Sequence, residues 1–323
     1  MVATGFTSSP AQTLSKLPDI SKLSGALIDN VGKVDSVLKA DIASIDGVTV
    51  PSGADFPLDT YGGATLAWSV RRLYSLYTGD ALRVRRDSDD VETDIGFDSN
   101  GEIDTAAIAT HCGSANGYVT KWYGQESAGG TGSGLDGEET TFAAQPQIYN
   151  GSAVLTNNGK PCVEFVRTGS VTGTGILTTA SVAWSTSGAL EFFLVFDNEG
   201  GVGNQETWSS AGARMFTGNG PHQVSTAAGA LVFTLSQVAA QNLFVYEHNS
   251  TARTIYIDGV QEVTSASPTN VSTSSSIGGL GVRYNADEGH ADILFQELIH
   301  YPTNQSSNRT GIETNINDYF TIY

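Results

Sequence analysis

The apolar and polar positions fall into three stretches with different periods. Across residues 146–323, short alternating or wholly apolar runs recur at regular intervals, punctuated by Gly, Asn and Ser. That pattern predicts strands over 162–166, 190–196, 231–235, 242–247, 254–258, 261–264 and 293–301. Leu190-Glu-Phe-Phe-Leu-Val-Phe196 is apolar on both faces, which puts it in the middle of a sheet with cover on each side. Asp258-Gly259 supplies the two positive φ values of a type I′ turn, so 256–263 reads as a hairpin. A helix over 308–319 closes the chain, with Ile312, Ile316 and Phe320 on one stripe. The expected fold is all-β, an antiparallel sandwich of jelly-roll type with a few short helices.

Residues 58–145 mix the two periods. Ala64, Ala67, Trp68, Arg71, Leu73, Leu76 and Tyr77 line up at helical spacing behind Gly62-Gly63 and predict a helix. A strand over 81–86, an acidic run from Asp87 to Asp98, a short helix near 104–109 and a strand over 117–123 follow. The Gly-rich polar stretch 126–141 reads as a mobile surface loop.

Residues 1–57 stand apart, with four of the six lysines and no Trp or Tyr. Leu27, Val31, Val34, Leu38 and Ile45 follow the spacing of an amphipathic or coiled-coil helix. Ile28, Val31, Val34 and Val37, then Ile42, Ile45 and Val48, recur every third residue, which suits an extended segment laid on a partner. Gly25, Gly32 and Gly47 weaken the helical alternative by roughly 1 kcal/mol each. One thin apolar stripe cannot be buried alone. The expected organisation is therefore an anchoring and oligomerising segment over 1–57, a helix-containing cassette over 58–145, and the sandwich over 146–323. Leu27, Val31, Val34, Leu38, Ile42 and Ile45 are the expected assembly contacts, and a homotrimer the expected state.

Composition narrows the function. Thirty-four acidic residues against 16 Lys and Arg give a formal charge of −18, so neither nucleic acid nor an anionic membrane is an expected partner. The N-terminus has neither a basic region nor a continuous apolar stretch of signal-peptide type, so secretion by the general route is not expected. Cys112 and Cys162 lack metal-ligand spacing and read as two buried small hydrophobes, a single bridge being the alternative.

Candidate chemistry is sparse. Glycosidic cleavage needs two carboxyl groups about 5–9.5 Å apart. Glu191 and Asp197, on one strand, would lie about 20 Å apart and cannot pair. Asp197 and Glu199 could pair only if the strand continued, against the loop signal of Asn198 and Gly200-Gly201. The acidic run at 87–98 lacks EF-hand spacing, and its acids are expected to pair with Arg83, Arg85 and Arg86 or to face water. Gly132-x-Gly134-x-x-Gly137 matches a dinucleotide pattern without the strand and helix that give it meaning. The histidines at 111, 222, 248, 290 and 300 show no metal-ligand spacing, so no metal or cofactor is expected. For sugar binding, exposed aromatics with Asn and Asp neighbours are the best candidates: Trp208, Tyr284, Asn285, Asp287 and His290. For Trp208 and Tyr284, taken singly, ordinary packing is the favoured reading.

Several segments together resemble a known cassette: Ala67-Trp-Ser-Val-Arg-Arg-Leu73, Tyr77-Thr-Gly79, Leu82-Arg-Val-Arg-Arg-Asp-Ser-Asp89, Asp94-Ile-Gly-Phe97 and Val119-Thr-Lys-Trp-Tyr123. Gln145-Pro146, Asn158-Gly-Lys-Pro161 and Phe165 continue it. It resembles the cassette of concanavalin A-like (laminin-G-like) jelly rolls in bacteriophage virion proteins, which is also found in the catalytic domain of arabinofuranosidase B. The hairpin at 255–259 and the closing pattern from Glu297 to Tyr319 are similar to the last third of that sandwich. The N-terminal segment is similar to those of phage tail, fibre and decoration proteins. The resemblance implies a non-enzymatic structural virion protein, assembled in the host cytoplasm. It would be anchored to other virion proteins by its N-terminus and would display a lectin-like face toward host glycans. A glycoside hydrolase of the arabinofuranosidase type is the alternative. No catalytic residue carries over motif by motif.

Overall fold

Leu190–Asn198 is buried at every one of its nine positions. It lies between Gln241–His248 on one side and Ile293–Tyr301 on the other, antiparallel to both, the central place its two apolar faces demand. The computed structural model describes residues 33–34, 37–38, 44–45 and 48–49, then 56–323 outside 127–134, 170–171, 187, 201–204, 211–212, 218–221, 227–228, 234–239, 250, 267–274, 284 and 286–288. The chain divides into two units, Met1–Ala54 and Asp55–Tyr323.

In the first unit, Lys33 and Val34 pair antiparallel with Leu38 and Val37, and Ser44 and Ile45 with Thr49 and Val48. The backbone at these positions is therefore extended, not helical. β-Branched Val and Ile favour that outcome. Of the expected assembly contacts, Val34, Leu38 and Ile45 sit in these short strands, while Leu27, Val31 and Ile42 lie outside the described residues.

The second unit contains an 18-stranded antiparallel network. In chain order its strands are β1 (Leu66–Ser69), β2 (Leu82–Arg86), β3 (Glu92–Ile95), β4 (Asn116–Trp122), β5 (Gly137–Glu138), β6 (Gln147–Asn150), β7 (Val163–Phe165), β8 (Ile176–Thr178), β9 (Leu190–Asn198), β10 (Gln205–Ser210), β11 (Ala213–Thr217), β12 (His222–Thr226), β13 (Gly229–Phe233), β14 (Gln241–His248), β15 (Ala252–Ile257), β16 (Val260–Ala266), β17 (Gly278–Leu280) and β18 (Ile293–Tyr301). Among the described residues the α-helices are α1 (Pro57–Thr60), α2 (Thr105–Cys112), whose N-cap Asp104 accepts from the Ala107 N–H, and α3 (Arg309–Phe320). The hairpin between β15 and β16 turns at Asp258 (φ 51°) and Gly259 (φ 76°) as the sequence predicts.

One layer runs β16-β15-β14-β9-β18, with β1 and β7 sharing the far edge of β18. The other runs β13-β12-β11-β10-β17-β8-β5-β4. Phe192, Leu194, Phe244 and Tyr246 of the first meet Trp208, Met215 and Val224 of the second around one small internal cavity. This is the sandwich interior. The opposite face of the first layer is covered by α3, whose Ile312, Ile316 and Phe320 are fully buried.

The helix expected over 64–77 does not form. Leu66–Ser69 is instead a strand, β1, paired with β18 from Glu297 to His300 and buried at all four positions. A strand buried on both faces loses its alternation, and its apolar positions then mimic helical spacing. Within 58–145, β2, β4 and β5 are hydrogen-bonded into the same network. Cys112 and Cys162 are both buried thiols. Of the loop expected over 126–141, residues 127–134 lie outside the described residues, and Gly137–Glu138 forms β5.

Candidate functional site

Strand parity sorts the chemistry. On β10, Trp208 faces the interior, and a register shift between Glu206 and Trp208 turns Glu206 to the outer face. There it pairs with Phe216 of β11, which pairs with Gln223 of β12, which pairs with Val232 of β13. The next row holds Arg214, Ser225 and Ala230. Gln223, Ser225 and Arg214 are half-buried and Val232 is exposed, so this face of the sandwich reaches solvent.

Glu206 itself is only 1% exposed. The Arg214 guanidinium holds it through Nε at 2.9 Å from Oε2 and through Nη2 on Oε1. Arg283, from the connection after β17, adds Nε at 3.0 Å from Oε1. Arg214 also lies over the Phe216 ring, 4.7 Å from its centroid. The Glu206 N–H donates to the Gly289 carbonyl at 2.7 Å. Gly289 has φ +79°, and a Cβ there would stand 2.8 Å from Oε1 of Glu206. Glycine is required on both counts, for the left-handed backbone and for the close approach. The result is a carboxylate fixed in position, held by two guanidinia and flanked by an aromatic ring and polar side chains.

Glu206 belongs to a wider set of buried acids. Glu297 on β18 is fully buried, bound by Arg71 through Nε (2.8 Å) and Nη2 (3.0 Å) and by the Ser69 hydroxyl (2.8 Å). Asp197 accepts from Asn157 at 3.0 Å, and burial pushes its carboxyl above the usual range. Glu199 follows the end of β9 as an exposed residue and is pushed up by partial desolvation and by Asp197, Glu164 and Asp292. Glu126 is pushed up to about 7 by burial, with Asp136 as its acidic neighbour. Glu191 on β9 is pushed up to about 8, first by burial and then by Glu247. Of these, Glu191 and Glu297 lie beneath α3, whereas Glu206 lies on the half-open face.

Of the sequence-predicted sugar contacts, Trp208 and His290 are buried among the described residues. Trp208 is 2% exposed and buried among rings, with centroids 5.3 Å from Trp184, 5.7 Å from Phe192 and 6.4 Å from Trp68. Its ring offers no face to a ligand, because the polar residues around it in sequence point away from the interior. His290 is also buried, with Nδ1 3.2 Å from the Thr174 carbonyl. Asn285 is exposed, and Tyr284 and Asp287 lie outside the described residues. Sequence reasoning missed Glu206, Arg214 and Arg283. The one available signal was a lone glutamate inside a strand, two positions before the tryptophan that drew attention.

The arginines of the cassette pair with the acidic run as expected. Arg83 meets Asp94, Arg85 meets Asp87 and Asp90, and Arg86 meets Asp89. Arg85 and Arg86 also donate to the Gln145 side chain and the His111 carbonyl, tying the run to the layer.

Residues 60–163 match the family model of the catalytic domain of alpha-L-arabinofuranosidase B. The match covers about a third of the chain. No curated protein matches. Among solved structures, a GH54 α-L-arabinofuranosidase soaked with a cyclic sulfate inhibitor superposes with a TM-score of 0.58 at 17% identity. An arabinofuranosidase complexed with arabinofuranosyl-α-1,2-xylobiose gives 0.60 at 17%. A GH54 variant soaked with 4-nitrophenyl α-L-arabinofuranoside gives 0.59 at 16%. Each covers 81% of this chain, which spans 64% of the length of each. The fold is shared with them. These matches overturn the expectation of a non-enzymatic virion protein, whether tail fibre or decoration protein, and with it the placement in a phage particle. They align the cassette with a catalytic glycosidase domain, the alternative that the resemblance also carried.

Proposed function

We propose that this chain is a glycoside hydrolase of the arabinofuranosidase type, acting on arabinofuranosyl groups of glycans, with Glu206 as a carboxylate of its active site. The match of residues 60–163 to an arabinofuranosidase catalytic domain carries the reading. The geometry around Glu206 supports it. Glycosidic cleavage passes through an oxocarbenium-like state, which a fixed carboxylate beside the anomeric carbon stabilises or attacks. Arg214 and Arg283 hold that carboxylate in one orientation, so no reorganisation is needed when positive charge develops. The amide of Gln223, half-buried and in line with Glu206 across β11 and β12, offers a polar contact to a furanose.

The test uses the full chain with 4-nitrophenyl α-L-arabinofuranoside and with arabinoxylan, following nitrophenol and free arabinose. Wild type is expected to release both products, and Glu206→Gln to lose roughly a thousandfold or more in kcat with its fold intact by circular dichroism. No release from either substrate by wild type would overturn the reading. Equal rates for wild type and Glu206→Gln would remove Glu206 from the site.

A further inference from the structure

Beneath α3 lies a group of acids that the proposed chemistry does not use. Glu191 of β9 stands directly opposite Glu247 of β14, a cross-strand position that brings side chains into contact. Oε2 of Glu191 accepts from the Gln305 N–H at 2.9 Å. Oε1 of Glu247 accepts from the Ser306 hydroxyl at 2.6 Å and from Asn249 at 2.7 Å. The two carboxyls thus hold the segment that leads into α3. That segment matters because the N-cap Asn308 makes no side-chain cap.

The other oxygens do not balance. Oε1 of Glu191 is buried with no hydrogen-bond partner, and so is Oε1 of Glu313, which α3 itself brings to the group. Against three carboxyls stands one guanidinium, Arg309, which bonds Glu313 and stacks 3.8 Å over Tyr256 of β15. On the far side of Glu191, its register partner on β18 is Tyr301, whose hydroxyl donates to the Tyr61 carbonyl. Tyr323 lies near Glu313 and Arg309, its phenol pushed up to about 12 by burial first, and burial also raises Tyr256 and Tyr301. These phenols supply no charge at neutral pH. A buried carboxylate oxygen without a donor is costly, and a proton turns it into a donor.

We propose that the carboxyl of Glu191 carries a proton in the folded chain at neutral pH, and that this proton clamps α3 to the sheet, making the helix a pH-graded latch. In the closed state the proton sits on the Glu191 carboxyl, opposite Glu247; on opening it leaves to solvent. The closed form keeps its proton up to about pH 8, whereas the opened form, with Glu191 in water, loses it near pH 4.3. Between those values the closed state binds more protons, so the latch weakens as pH rises through that window and levels off above it.

Hydrogen exchange of the full chain, divided by intrinsic amide rates, reads the latch directly. Protection of amides 305–320 is expected to fall by up to tenfold per pH unit from pH 5 to 8 and then to flatten, with β11 and β12 unaffected over the same range. Glu191→Gln, neutral at every pH, should hold the protection level. The proposal is overturned if wild-type protection there is constant from pH 5 to 8, if it falls equally in β11 and β12, or if Glu191→Gln follows the wild-type slope. Should the variant fail to fold, the first two outcomes still decide.

Discussion

Glu206 on β10 and Glu191 on β9 sit in facing layers, both point away from the interior they share, and both are buried. The physical solution to that burial differs. Glu206 keeps its charge company with two guanidinia that are themselves a fifth to a third exposed, at the margin of a face that reaches solvent. Glu191 lies under a helix, faces a second glutamate and has no cation of its own. A carboxylate braced by cations beside solvent is fixed in one orientation by them; one packed among other acids beneath a helix is arranged to hold a proton. Burial alone therefore distinguishes nothing. The partners and the cover decide.

A series of Glu→Gln changes sharpens this contrast, because the same loss of charge should carry different signs and sizes. The largest effect is expected at Glu297, fully buried and bound on both oxygens by Arg71. Glu297→Gln strands a buried guanidinium and should cost about 3–5 kcal/mol in urea unfolding at pH 7. A loss below 1 kcal/mol would show that water or Tyr319, whose ring lies 4.8 Å from the guanidinium carbon of Arg71, suffices to stabilise the cation. Glu206→Gln should follow at about 2 kcal/mol, since its arginines can turn toward water when the charge is lost. At Glu191 the sign should reverse at pH 8: the neutral amide mimics the protonated acid, so the variant should unfold at higher urea than wild type. A loss of stability there of the size seen at Glu206 would erase the distinction between the two sites.

The contrast also explains what the sequence could and could not reveal. Leu190–Asn198, Ile293–Tyr301, α3 and the Asp258-Gly259 turn were legible because each rests on a local rule: an apolar run, a stripe or a pair of positive φ values. The pairing of Arg83, Arg85 and Arg86 with nearby acids was legible for the same reason. Glu206 was not, because Arg283 reaches it from 77 positions along the chain and Gly289 reaches it through a backbone contact. Trp208 could be read either as a sugar contact in a polar, Gly-rich loop or as ordinary packing, and the structure buries it. The register shift beside it, which separates an inward tryptophan from an outward glutamate, leaves no mark in residue type. The strand Leu66–Ser69 was lost to its own complete burial, which erased the alternation that would have named it. Light scattering of the full chain tests the homotrimer expected from Leu27, Val31, Val34, Leu38, Ile42 and Ile45.

The smallest effect in the series should come from the surface. Arg83 and Asp94 form a two-pronged pair at 2.6 and 3.1 Å, geometrically as good as the pair at Glu297. The Arg83 hydrogen bond, with a second one from Tyr123, holds the Asp94 carboxyl below the usual range. Yet both side chains are more than a third exposed or close to it, so water and salt replace the lost partner at little cost. Asp94→Asn should change stability by less than about 1 kcal/mol, and 0.5 M salt should remove most of that difference. The remaining hydroxyl contact between Tyr123 and Arg83 at 2.9 Å would keep the guanidinium in place. If Asp94→Asn instead cost as much as Glu297→Gln, bond geometry and not desolvation would set the strength of these pairs, and the contrast between the open and covered faces would lose its physical basis.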